Sequence, residues 1–205
     1  MRLRKRKWMD PLLAEQQNIL LDEEALKEFF LKDNIIIEIG SGKGGFIYQM
    51  ALNNPSFNYL GIEVDKLVMA IAIKTYKDNL PSNLHFVLKD IHSLFALIKD
   101  NSINAIYLNF SDPWVKKKQN KRRLTYPSLL KEYYRILKEG GKIYFKTDND
   151  LLFNDSLTYI KDSSFVIDSL EEDYILSKDD IETEYEHKFR LEGKKIKRIV
   201  LRKGE

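Results

Sequence analysis

The sequence predicts an α/β fold built on a mostly parallel sheet of about seven strands with helices on both faces. Three observations carry that reading. Short apolar runs rich in Ile, Val, Phe and Tyr alternate with longer stretches of helical period, the pattern of a buried parallel sheet covered by helices. A glycine-rich turn, Gly40-Ser41-Gly42-Lys43-Gly44-Gly45, follows directly on the first apolar run and opens a helical stretch. Acidic residues stand at the ends of the first three runs, at Glu38, Glu63 and Asp90, the edge where open α/β sheets bind ligands.

Residues 1–10 are too basic and irregular for a core and read as an arm, leaving 11–205 as a single domain. Strands are expected at 34–39, 57–62, 84–88, 103–110 and 142–147, with helices between them at 44–53, 66–78, 92–99 and 126–137. A helix near 149–161 precedes two last strands, 165–170 and 195–202. The connection 179–193 is polar and charged, so it is expected at the surface as a loop and short helix. Pro55, Pro81 and the pair Gly140-Gly141 fall where turns are needed, the glycine pair ending a helix.

Composition removes several function classes. Without cysteine there are no disulfides, no thiolate metal sites and no cysteine nucleophile. His85, His92 and His187 lack ligand-like spacing, so no metal is expected. No apolar run reaches 18 residues and none follows the basic N-terminus, which argues against a membrane span or signal peptide and for a soluble, cytoplasmic protein. The net charge is only +3, but basic residues concentrate at 2–7, 116–123 and 194–203. One such cluster is accounted for as a solvated tail or strand edge; three together point to nucleic acid.

Gly40 and Gly42 allow a sharp turn and close approach to a ligand. Dinucleotide proteins use glycines in the same place, but here the spacing is G-x-G-x-G and Glu38 stands two positions before the first. A carboxylate there repels a pyrophosphate and suits the ammonium of a methionine moiety, favouring S-adenosylmethionine. Glu63 is placed to accept both ribose hydroxyls, as acidic residues do in dinucleotide proteins too. Asp90 is placed either to contact the adenine amino group or to cap the helix that follows. The expectation is a Rossmann-like class I S-adenosylmethionine-dependent methyltransferase. The missing cysteine argues against pyrimidine C5 methylation, which requires such a nucleophile.

The fourth strand breaks into Asn109-Phe110-Ser111-Asp112-Pro113-Trp114, a proline-fixed turn followed by Lys116-Lys117-Lys118 and Lys121-Arg122-Arg123. An ordinary turn with Trp114 in the core explains the segment taken alone. Its place at the ligand edge, with cations behind it, makes it the candidate site for a base and its phosphates. Trp114 either stacks on a nucleobase or packs behind the loop.

Over nearly the whole chain the sequence resembles the bacterial tRNA (guanine-N7)-methyltransferases. The resemblance lies in Ile37-Glu38-Ile39-Gly40-Ser41-Gly42-Lys43-Gly44, Gly61-Ile62-Glu63, the turn Asn109 to Trp114, Lys121-Arg122-Arg123-Leu124-Thr125, Phe145-Lys146-Thr147-Asp148-Asn149, and Thr183-Glu184-Tyr185-Glu186-His187-Lys188-Phe189. The third block and the last three are the specific ones. The resemblance implies that Glu38, Gly40, Gly42, Glu63, Asp90 and Asp112 touch S-adenosylmethionine or the reaction centre. Lys116, Asp148, Thr183, Glu184, Tyr185 and Glu186 would hold the substrate, while Lys118, Lys121, Arg122 and Arg123 would contact RNA. It also implies guanine 46 of the tRNA variable loop as the target. Members of the family often carry a proline after the tryptophan and an Arg-His pair beyond the lysines, where this chain has Val115 and Lys118-Gln119.

Guanine N7 has an exposed lone pair, so its methylation needs orientation and charge stabilisation rather than a strong base. Asp112 is the expected catalytic residue, with Asp148, and the 183–186 segment closing over the base. Three rival enzyme readings are methylation of an exocyclic amine through an Asp-Pro-Pro-Tyr-like motif, methylation of a small molecule, and nicotinamide oxidoreduction. A fourth, from another class, is a non-catalytic RNA-binding module. The downstream Thr-Asp-Asn and Thr-Glu-Tyr-Glu blocks favour guanine N7, and monomer and homodimer both stay open.

Overall fold

In the computed structural model, β1 (Ile35–Ile39) is buried at all five positions, as a parallel strand covered on both faces must be. The structure describes residues 7–178 and 180–204 and divides into two compact units, Met1–Ile98 and Lys99–Glu205.

In the first unit β1 pairs in parallel with β2 (Asn58–Glu63), and β2 with β3 (Leu84–Leu88). The helices are α1 (Met9–Glu15), α2 (Glu23–Phe29), α3 (Gly45–Asn53) and α4 (Lys66–Tyr76). Asp22 caps α2 by accepting from Ala25 N at 2.9 Å, and Asp65 caps α4 by accepting from Leu67 N and Val68 N at 2.8 and 3.0 Å. α1 packs against α4, buries Met9 and Leu13, and pairs Asp10 with Lys66. The expected arm of residues 1–10 therefore overlaps a packed helix at Met9 and Asp10, while residues 1–6 lie outside the described residues. The Phe86 ring presses on two glycines: a Cβ at Gly44 would come within 2.8 Å of it and one at Gly61 within 2.6 Å.

The helix expected at 92–99 is absent. A 3-10 turn, Ile91–Ser93, and further turns take its place. Ser93 Oγ donates to Asp90 O at 2.7 Å, and Leu94 N turns to Ile91 O at 3.0 Å, so side-chain bonds capture the first turn before an α-helix can propagate. Leu94, Phe95 and Ile98 still reach the core, which explains the helical period.

In the second unit β4 (Ile103–Asn109) pairs in parallel with β5 (Leu137–Thr147). β7 (Lys197–Lys203) runs antiparallel to β5, and β6 (Phe165–Glu171) antiparallel to β7. The helices are α5 (Pro127–Ile136), α6 (Asp150–Lys161) and α7 (Glu184–Leu191). α5 starts on a proline and buries Leu129, Leu130, Tyr133 and Ile136, a stripe of helical period. The pair Gly140-Gly141 does not end this helix, which stops at Ile136. It lies inside β5, where Gly140 has φ +70° and five residues of β5 pass while β4 advances two. Gly141 is needed there because a Cβ would come within 2.8 Å of Lys138 O. Within the two units β1–β2, β2–β3 and β4–β5 pair in parallel and only β7 runs antiparallel to its neighbours, so the seven strands are mostly parallel, as the sequence predicts. Among the described residues no helix is long and apolar enough to cross a membrane.

Candidate active site

In the first unit the glycine loop is tied to the end of β2. Gly40 N and Ser41 N both donate to Ile62 O, at 2.8 and 3.0 Å. Glu63, nearly buried, accepts from Gly42 N at 3.0 Å on one oxygen and from Val64 N and Asp65 N at 2.8 and 2.9 Å on the other. The carboxylate so placed is oriented by the backbone and keeps acceptor capacity on the oxygen that receives only Gly42. Gly40 and Gly42 have φ of +77° and +57°, and a Cβ on either would meet nothing within 4 Å. Ser41 Oγ is buried with no hydrogen-bond partner among the described residues. A left-handed loop with a clear face, a buried hydroxyl and the buried Glu38 on β1 fits a small polar cofactor laid along it.

Asp90 caps the 3-10 turn: its Oδ1 accepts from His92 N at 2.9 Å and lies 2.7 Å from His92 Nδ1. Burial raises the pKa of this carboxyl, but the hydrogen bonds from the His92 backbone and ring, with the charge of that ring, outweigh it and hold the group below its ordinary value. Of the two roles open to Asp90 in the sequence, the cap is formed.

In the second unit β4 ends on Asn109, and Phe110 turns away at φ +50° while its N–H donates to Lys146 O at 2.9 Å. Asp112 is exposed, as are Lys116, Lys117, Lys118, Lys121 and Arg122. Residues Lys117–Arg122 form a 3-10 segment. Trp114 is half-buried, and the Arg122 guanidinium lies 4.9 Å from its ring centroid, so the ring is held by a neighbouring cation. Arg123, expected to contact RNA, is instead only 1% exposed and bonded to Pro113 O, Trp114 O and Asp155. A guanidinium sealed off in this way cannot reach a phosphate.

Asp148 follows β5 and pairs with Lys194 at 3.0 Å, and that hydrogen bond raises the Lys194 pKa. A recess of about 420 Å³ is lined by Asp148, Asn149, Asp150, Lys194, Lys195 and Lys197. Thr183 caps α7 by accepting from Glu186 N at 3.0 Å. Glu186, expected to hold substrate, is fully buried. Its Oε2 accepts from Lys146 Nζ at 3.1 Å and its Oε1 from Arg190 Nη2 at 2.5 Å, so both oxygens are engaged and the residue anchors α7. The accessible part of the expected segment is Glu184 and Tyr185. Phe189 joins α7 to the turn, its ring centroid 5.6 Å from that of Phe110 and 6.2 Å from that of Tyr185.

Sequence reasoning missed the groups that hold this arrangement. Lys146, only 3% exposed, bonds both Glu186 and Asp180, the latter at 2.6 Å. Asp180 also accepts from Tyr174 Oη at 2.7 Å. Burial raises the Asp180 pKa, yet the hydrogen bond and charge of Lys146 outweigh burial and hold it low. The one signal in the sequence was a lysine at the inward end of an otherwise apolar strand, Ile143-Tyr144-Phe145-Lys146, where a buried cation requires a partner.

Known proteins extend the reading. A family model described as "Putative methyltransferase" matches residues 32–199. The chain is 39% identical over 209 residues to the tRNA (guanine-N(7)-)-methyltransferase of Clostridium botulinum (strain Okra / Type B1), with 96% of each chain covered. It is 40% identical over 206 residues to the protein of the same name from Bacillus subtilis (strain 168), with 97% of each covered. Among solved structures it is similar to a variant of the 16S rRNA (adenine(1408)-N(1))-methyltransferase from Catenulisporales acidiphilia with cosubstrate SAM, at a TM-score of 0.64 and 13% identity over 90% of this chain and 92% of that one. At that identity the likeness concerns the fold alone. The near full-length identity to the two bacterial proteins goes further: the chain belongs to the tRNA (guanine-N7)-methyltransferase family.

Proposed function

We propose that this protein transfers a methyl group from S-adenosylmethionine to N7 of a guanine in tRNA, giving 7-methylguanosine, and that it does so in the cytoplasm. The observation that carries the reading in the structure is the exposed Asp112 carboxylate beside the exposed cations Lys116, Lys118, Lys121 and Arg122. An acid there accepts hydrogen bonds from guanine N1–H and its amino group, while the cations neutralise phosphates on either side. The variable loop, at guanine 46, is the target we favour.

The cofactor supplies a methyl group activated by a sulfonium centre. Glu38, Gly40, Gly42, Glu63 and Asp90 are the residues that would hold it, Glu38 matching its ammonium and Glu63 its ribose hydroxyls. The new bond uses a ring lone pair and releases no proton from N7, so no residue has to act as a general base. Asp112 and Asp148 orient the purine and favour the positive charge that grows on it. Glu184 and Tyr185 stand at the exposed start of α7 to complete the substrate contacts. Lys116 holds a phosphate rather than a proton.

Incubation with labelled S-adenosylmethionine and unmodified tRNA, followed by nucleoside analysis, tests the reading. The expected product is 7-methylguanosine. N6-methyladenosine, or no labelled nucleoside, would overturn it.

A further inference from the structure

Arg123 heads the fully buried side chains among the described residues, although it ends a run of exposed cations. A guanidinium has a permanent charge and five donors in a planar fork, so it stays buried only where that fork is met. Nε donates to Pro113 O at 2.8 Å, Nη2 to Trp114 O at 3.4 Å, and Nη1 to the Asp155 carboxylate of α6. The two carbonyls belong to the residues that directly follow Asp112. Trp114 has φ +42°, a conformation that a bulky residue keeps only when its surroundings impose it. Two residues beyond Arg123, Thr125 Oγ1 lies 2.6 Å from Ser156 Oγ, so the segment is moored to α6 at the adjacent positions Asp155 and Ser156. The exposed 3-10 segment Lys117–Arg122 is therefore a loop whose two ends are joined by one side chain.

We infer that Arg123 is a positioning residue for methyl transfer: it sets the backbone of the Asp112-Pro113-Trp114 turn and closes the base of the basic loop, and it contacts no phosphate. Lysine does not substitute, because one ammonium cannot meet two carbonyls and a carboxylate with a fixed fork. The inference rests on the role of Asp112 proposed above.

The test compares wild type with Arg123→Lys, Arg122→Gln and Asp155→Asn. It measures single-turnover methylation at saturating unmodified tRNA, tRNA affinity across a salt series, and thermal melting. Arg123→Lys is expected to slow single turnover about 10- to 100-fold, because a small misplacement of the reacting groups costs that much. Its dependence of tRNA affinity on salt should match wild type. Arg122→Gln should instead weaken tRNA binding and lower the salt slope by about one unit, as loss of a phosphate contact does. A wild-type rate for Arg123→Lys overturns the inference, and so does a reduced salt slope at any rate. If Arg123→Lys does not fold, Asp155→Asn decides by the same readouts: slower turnover at constant slope supports the role, and an unchanged rate overturns it. Failure of the wild type to form 7-methylguanosine would remove the underlying reading of the function, and that is scored before any variant.

Discussion

In the first unit, Glu63 is fixed by three backbone N–H groups and the glycine loop by one backbone carbonyl, Ile62 O. In the second, the turn and α7 are fixed by charged side chains that reach across the sequence: Arg123 to Asp155, 32 residues on, and Lys146 to Glu186, 40 residues on. Backbone donors are present whatever the side chains, so the first arrangement survives most substitutions around it. Buried ion pairs tie distant segments together, but each is only as good as its partner, since a lone buried charge is costly. The first unit is thus built to tolerate substitution, and the second to depend on particular charged partners.

The largest effect should come from Lys146→Met, which leaves the buried Glu186 and the half-buried Asp180 carboxylates without their common cation. Urea denaturation should show a loss of about 3–5 kcal/mol, the usual consequence of breaking a buried pair. A loss under about 1 kcal/mol would erase the contrast between the units. Next, Asp112→Ala should leave stability nearly unchanged, the side chain being exposed, while turnover of bound tRNA falls about 100-fold. Unchanged turnover would take the catalytic assignment away from Asp112.

In the first unit, Glu63→Gln turns one acceptor oxygen into an amide that faces backbone donors. Since hydrogen bonds to charged groups are worth roughly 1.5–3 kcal/mol, affinity for S-adenosylmethionine should drop about tenfold or more in equilibrium titration. An unaltered affinity would mean that the loop does not depend on Glu63. The smallest effect concerns His85, half-buried against the Phe29 ring. Burial, reinforced by Lys32, pushes its pKa below 6.5. The unfolded chain then binds the proton more readily, so the stability His85 contributes is present above about pH 6.5 and lost as pH falls through its lowered folded value. The melting temperature should decline on acidification from pH 7 to about 5.5, and His85→Phe should flatten that decline. A slope unchanged in the variant would assign the pH dependence to other groups.

Much of this molecule was legible from its residues because the signals are local. The run Ile35-Ile36-Ile37 declares a buried strand, and Gly40-Ser41-Gly42 a left-handed turn behind it. The Asp112-Pro113 break with its following lysines marks an exposed basic loop. Where local signals mislead, the structure gives a reason: Ser93 captures a backbone carbonyl and stops a helix at 91–93, and Gly140-Gly141 loops out within a strand instead of ending a helix.

The sequence by itself determined the parallel sheet, the glycine loop at the end of β1, the exposed Asp112 turn and the family to which the chain is similar. Each rests on periodicity or on residues within a few positions of one another. Only the tertiary structure decided that Arg123 and Glu186, in segments rich in solvated charge, turn inward. Whether a charged side chain faces water or a buried partner depends on which distant residue the fold brings to it, here Asp155 and Lys146, and spacing along the chain carries no record of that choice.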